Sequence, residues 1–81
     1  MLQVIIRKRT GVVYEGMVIS VSSENIRGPF DILPKHTHFV SVIRREVRIA
    51  RYVNERTPMV ISLKRGILRV RDDHVEVYVD Y

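Results

Sequence analysis

At 81 residues the chain fits one small domain, since single cores usually run to about 100–150 residues, and one surface or site must carry its function. It has no cysteine, which excludes a disulfide framework and a thiolate zinc site, and no apolar run approaches the roughly 18–20 residues of a membrane helix. Fourteen Lys and Arg, eleven of them arginine, against nine Asp and Glu give a net charge of +5 and point to an acidic partner, while 46% hydrophobic residues exclude a disordered basic arm.

In chain order, Leu2, Val4 and Ile6 alternate with Gln3 and Arg7, a period of two that predicts a strand. Thr10-Gly11 predicts a turn. Val13, Met17, Ile19 and Val21 share one parity, interrupted by Glu15, and predict a second stretch of strand. Ser22-Ser23-Glu24-Asn25 and Gly28-Pro29 have turn chemistry. Residues 39–50 fit two templates. Phe39, Val42, Ile43, Val47 and Ala50 have helical spacing with Arg44, Arg45, Arg48 and Arg51 outside. The density of β-branched residues, with Pro34 just upstream, instead favours two strands with a turn near Arg44-Arg45. Val47, Ile49 and Val53 alternate with Arg48 and Tyr52, then Asn54 to Pro58 predicts a loop. Leu68 and Val70, then Val75, Val77 and Val79, predict the closing strands, with turns at Arg65-Gly66 and Asp72-Asp73-His74. Short strands at this spacing indicate an antiparallel sandwich or barrel, all β.

Few residues offer chemistry. His36 and His38 lie on the same side of an extended backbone, but no cysteine accompanies them and Asp31 and Glu46 are not at a ligand spacing, so no metal site is expected. None of the serines sits in a G-x-S-x-G elbow. Asp72-Asp73 reads as turn chemistry rather than an acid–base couple, and the glycines at 11, 16, 28 and 66 form no phosphate cradle. Catalysis has no foothold, and no cofactor is expected. A basic β-barrel that binds single-stranded nucleic acid is the alternative. Tyr14, Phe30, Phe39, Tyr52, Tyr78 and Tyr81 would be its stacking platform. They are dispersed, and Phe30 and Phe39 fall where core is expected, so nucleic acid is the weaker reading.

The stretch Gly28-Pro29-Phe30-Asp31-Ile32-Leu33-Pro34-Lys35-His36 resembles the G-x-F-G-I-L-P-G-H signature of the epsilon subunit of F-type ATP synthases. Gly11-Val12-Val13-Tyr14-Glu15-Gly16 is similar to that family's early G-V-V-F-E-G. Lys64-Arg65-Gly66-Ile67-Leu68-Arg69-Val70 is similar to its S-G-G-F-L-E-V, and His74-Val75-Glu76-Val77-Tyr78-Val79 to its closing strand. Leu33-Pro34-Lys35-His36-Thr37-His38-Phe39-Val40 is closer to the L-P-R-H-x-D-F-V of the alternate, sodium-linked N-type F-ATPases, with His38 in place of the acidic residue. Asp31 and Lys35 stand where the family has glycine, which suggests a negative φ at both.

The resemblance spans the chain and implies the family's N-terminal domain over residues 1–81, a flattened antiparallel β-sandwich of about ten short strands. The family's C-terminal helical hairpin is absent from the sequence. What it further implies is a non-catalytic central-stalk subunit that docks the gamma subunit to the membrane rotor ring, held peripherally at the cytoplasmic face of the membrane. By resemblance the ring-facing residues are Glu24, Asn25, Ile26, Arg27 and Gly28, and the gamma-facing edge comprises Pro34, His36 and His38.

Overall fold

A computed structural model describes residues 1–36 and 38–80. Among these residues the alternating sequence forms seven strands: β1 (Leu2–Lys8), β2 (Gly11–Val18), β3 (Ser20–Asn25), β4 (Gly28–Ile32), β5 (Phe39–Ala50), β6 (Met59–Arg71) and β7 (His74–Asp80). They join in one sheet of order β2-β1-β7-β6-β5-β3-β4. Although β2 and β3 lie near opposite ends of that order, they follow one another in the chain, so the sheet must curl over itself. Ile19 makes the closure, its N–H donating to the carbonyl of Ala50 at 2.9 Å. The inward residues of the two halves then form one core that includes Leu2, Val4, Ile6, Val21, Ile43, Ile49, Leu68 and Val77, the two-layer packing of a β-sandwich.

Two features differ from the sequence expectations. All pairings are antiparallel except β1 with β7, which run parallel, making the sheet mixed. The strands number seven rather than about ten, because the two breaks expected at Arg44-Arg45 and Arg65-Gly66 are not turns. They face each other across β5 and β6, which run 12 and 13 residues without interruption. The register there passes from Arg44↔Arg65 to Arg45↔Leu63, leaving Lys64 as an extra residue, a β-bulge. The extra residue flips the inward parity of β6 from Leu63 to Gly66, Leu68 and Val70. Arg45 absorbs the bend with φ 74. The helical alternative for residues 39–50 is excluded by the same strand.

Parity also switches between β2 and β3. Val18 and Val21 are buried while Met17 is exposed, so the expected face of Met17 is the opposite of the observed one. The bend at Ile19, between the two layers, is the reason. Val53 is likewise exposed, in the loop after β5.

Candidate functional site

The β3–β4 hairpin turns through only Ile26 and Arg27, with Asn25 paired to Gly28. Glu24, Asn25 and Gly28 are therefore strand residues, and the segment expected to face the ring is a tight hairpin end. Asn25 locks it: its side-chain oxygen accepts the N–H of Arg27 at 2.8 Å and its amide donates to the Ser41 hydroxyl at 3.1 Å. Ile26 and Arg27 keep ordinary negative φ, so the reversal falls on Gly28 at φ 120, a conformation that L side chains rarely adopt. The result is a rigid tip that presents Ile26 at 87% exposure, the highest of the large hydrophobic side chains among the described residues.

Glu24 points to the bulge instead. Its carboxylate receives Arg44 at 2.9 Å and Arg45 at 3.2 Å. Its neighbour Ser23, the one buried polar residue among those described, donates its hydroxyl to the carbonyl of Glu46 at 2.8 Å. The register of β3 against β5 shifts at this point, and Ser23 supplies the bond that the interrupted ladder cannot.

Pro34 and Lys35 form the exposed turn that leaves β4, closed by the His36 N–H on the carbonyl of Leu33 at 3.2 Å. Lys35 has φ 65, contrary to the negative value expected from the loss of glycine. The backbone keeps the left-handed conformation that a proline-led turn of this class requires at its third residue, and the lysine adopts it. The Lys35 N–H donates to the Asp73 carboxylate at 2.6 Å, tying the turn to the β6–β7 connection. Asp31, by contrast, has no positive φ.

The two histidines part company. His36 is half-buried, its ring edge-on to Phe39 at 5.8 Å, and Phe39 packs edge-on to Phe30 at 5.4 Å. His38 is exposed and approaches the Asp72 carboxylate at 3.4 Å. Among the described residues no three His, Asp or Glu side chains converge as a metal site. Phe39 links the two expected interfaces, because it also lines a groove with Ile26, Arg27, Val40 and Val42.

Two carboxylates titrate below the usual range. Glu55 is held there first by the Arg51 side chain, which bonds its Oε2, and then by the Arg51 N–H at 2.7 Å on its Oε1; burial opposes both. Glu76 is held low first by the Tyr78 hydroxyl at 3.1 Å and then by Arg69 at 3.2 Å. Both are bound to partners within the domain. The stacking platform of the nucleic-acid alternative does not assemble: Tyr14, Phe30 and Phe39 pack against the core, Tyr52 sits in a loop and Tyr78 on β7. Tyr81 lies outside the described residues.

The family model for the ATP synthase delta/epsilon chain β-sandwich domain matches residues 1–81. The chain belongs to that family. No curated protein sequence matches it. Among solved structures it is similar to a chain in the cryo-EM structure of the Tetrahymena thermophila mitochondrial ATP synthase central stalk and c-ring, with a TM-score of 0.79 at 14% identity. That similarity covers 99% of this chain and 63% of the other, so the delta/epsilon sandwich described here spans less than two thirds of its relative's length. No described helix is long and apolar enough to cross a membrane.

Sequence reasoning missed the outer face of β5, β6 and β7. Val40, Val42, Ile67 and Tyr78 are all about half exposed or more, and of these the alternation had assigned only Tyr78 to solvent. The signal was present as apolar residues on both parities of these strands, which a search for a single buried face passes over.

Proposed function

We propose that the delta/epsilon sandwich is a non-catalytic rotor element of an F-type ATPase, docking the gamma subunit to the membrane rotor ring so that rotation passes between them without slip. The observation that carries the reading is the hairpin tip, where Ile26 stands almost wholly exposed on a turn locked by Asn25 and Gly28. An apolar side chain held out on a rigid support gains nothing from water and fits the apolar hollow of a partner. Ile26 and Arg27 contact the ring, with Glu24, Asn25 and Gly28 positioning them, while Pro34, His36 and His38 form the edge towards gamma. The domain works as one stiff body over residues 1–81, at the cytoplasmic face of the membrane, and needs no cofactor.

Ile26→Asp tests this. The side chain touches no core, so stability should stay within about 0.5 kcal/mol of the parent, read from a thermal melt. Capture of the rotor ring by a reconstituted complex of this chain with gamma should fall sharply. Unchanged capture, or loss of folding with capture retained by the folded fraction, would contradict the assignment.

A further inference from the structure

The sandwich carries its excess charge where the sheet bends. Across that bend the register aligns Glu24 of β3 with Arg44 of β5, Arg44 with Arg65 of β6, and Arg65 with Asp80 of β7. β1 runs parallel to β7 as far as Arg7↔Tyr78, so Lys8 and Arg9 continue to the level of Asp80. Arg45 and Lys64 belong to the bulge itself, and Arg27 stands on the hairpin tip beyond Glu24. All seven cations are exposed. Two carboxylates, Glu24 and Asp80, stand among them, which leaves +5, the net charge of the whole chain. Of its fourteen cations and nine carboxylates, the other seven and seven cancel.

This row is unfavourable within the free domain. Arg65 lies directly opposite Arg44, a like-charge pair that costs stability, and the one Glu24 carboxylate serves both Arg44 and Arg45. Arg9, Arg27, Lys64 and Arg65 make no ion pair among the described residues. From β1 through β7 and β6 to β5 the row crosses three strand spacings, about 14 Å. An anionic lipid surface matches it: the surface is planar, and its headgroups move laterally to meet cations at whatever spacing they have. A folded acidic protein would need carboxylates at fixed complementary positions. Single-stranded nucleic acid is held where aromatic side chains interleave the cations, and no described aromatic belongs to this row. Beside the row Ile26 is almost wholly exposed, and an apolar side chain next to basic ones is the combination that holds a protein in the headgroup region.

We infer that this end of the free chain adsorbs to a bilayer bearing anionic phospholipid, with the Lys64–Arg65 bulge and the Arg9 turn on headgroup phosphates and Ile26 among the headgroups. The lipid contact stands on charge and exposure alone. Its use rests on the function proposed above: lipid holds the unassembled chain at the membrane, and the hairpin tip then leaves the headgroups for the rotor ring.

Co-sedimentation of the full chain with vesicles tests the inference, using phosphatidylcholine alone and phosphatidylcholine mixed equally with phosphatidylglycerol. The chain should bind the mixed vesicles only, and less as salt screens the attraction. Each cation near an anionic surface strengthens binding about fivefold, so Lys64→Gln and Arg65→Gln should each weaken it about fivefold. The melt of Arg65→Gln should stay at or above the parent's, because a repulsion is removed. Lys35→Gln makes the same change of charge at the opposite end, beside Asp73, and should bind as the parent does. Equal binding to both vesicles, no binding to either, or equal loss from Lys35→Gln and Arg65→Gln would overturn the inference while leaving ring capture standing. Tighter capture by single-stranded RNA than by the mixed vesicles at the same salt would give this end to nucleic acid and overturn it too. Vesicle binding by a chain that fails to capture the ring supports the lipid contact and removes only its proposed use.

Discussion

Lys35 shows how far a single residue can depart from its expected conformation without moving the chain. The turn after β4 requires a left-handed third residue, and the lysine takes φ 65 because Asp73 grips its N–H and His36 closes the turn behind it. A left-handed L-residue costs roughly 1–2 kcal/mol, part of which glycine returns as extra entropy in the unfolded chain. Lys35→Gly should therefore raise stability by up to about 1 kcal/mol, seen as a higher Tm; a lower Tm would mean that the lysine side chain has a role of its own. Glu55 makes the second residue-scale prediction. Arg51 holds its carboxyl below the usual range in the fold, so the bond contributes stability above the unfolded pKa of about 4.3 and loses it as pH falls through the lower, folded value. Glu55→Gln should be less stable than the parent at neutral pH, and the two should converge on acidification. Parallel stability curves across that range would contradict this.

At the scale of elements, the bulge between β5 and β6 explains what was legible in the sequence and what was not. Strict alternation at Leu2, Val4 and Ile6, or at Val75, Val77 and Val79, maps directly onto buried positions, because a regular strand has only two faces. Arg44-Arg45 and Arg65-Gly66 have the chemistry of turns, and the structure does place irregular backbone there, but a bulge bends a strand without ending it. A local pattern does not distinguish the two; only the pairing of Arg45 with Leu63 across the sheet does. The parallel union of β1 with β7 is a contact between the chain's two ends and leaves no local mark. At the candidate site, the exposure of Ile26 was legible from its polar neighbours. The diversion of Glu24 to the bulge was not, since it depends on where β5 lies. Gly66 marks the same junction: a Cβ there would meet the Tyr78 carbonyl at 2.5 Å. Gly66→Ala should force β6 from β7 and cost about 1–3 kcal/mol, the range for overpacking a close-packed site. A denaturant midpoint equal to the parent's would show that the strands part more easily than their packing implies.

For the whole molecule, a curled sheet closed at Ile19 makes a small rigid body with one core and two kinds of surface. The charged faces are largely self-satisfied: Arg44, Arg45, Arg48, Arg51 and Arg69 each bind a glutamate within the domain. The Ile26 tip and the Val42–Ile67–Tyr78 row stand apart from them as exposed apolar surface. Because the chain has no cysteine, a single introduced thiol reports its own burial in the assembled ATPase. Maleimide labelling of Ile26→Cys, His38→Cys and Val53→Cys, compared between the free chain and the complex with gamma and the rotor ring, is the most direct test. The account predicts that the thiols at positions 26 and 38 are labelled in the free chain and protected on assembly, while the one in the loop at 53 reacts equally in both; protection at 53 with free labelling at 26 and 38 would contradict it.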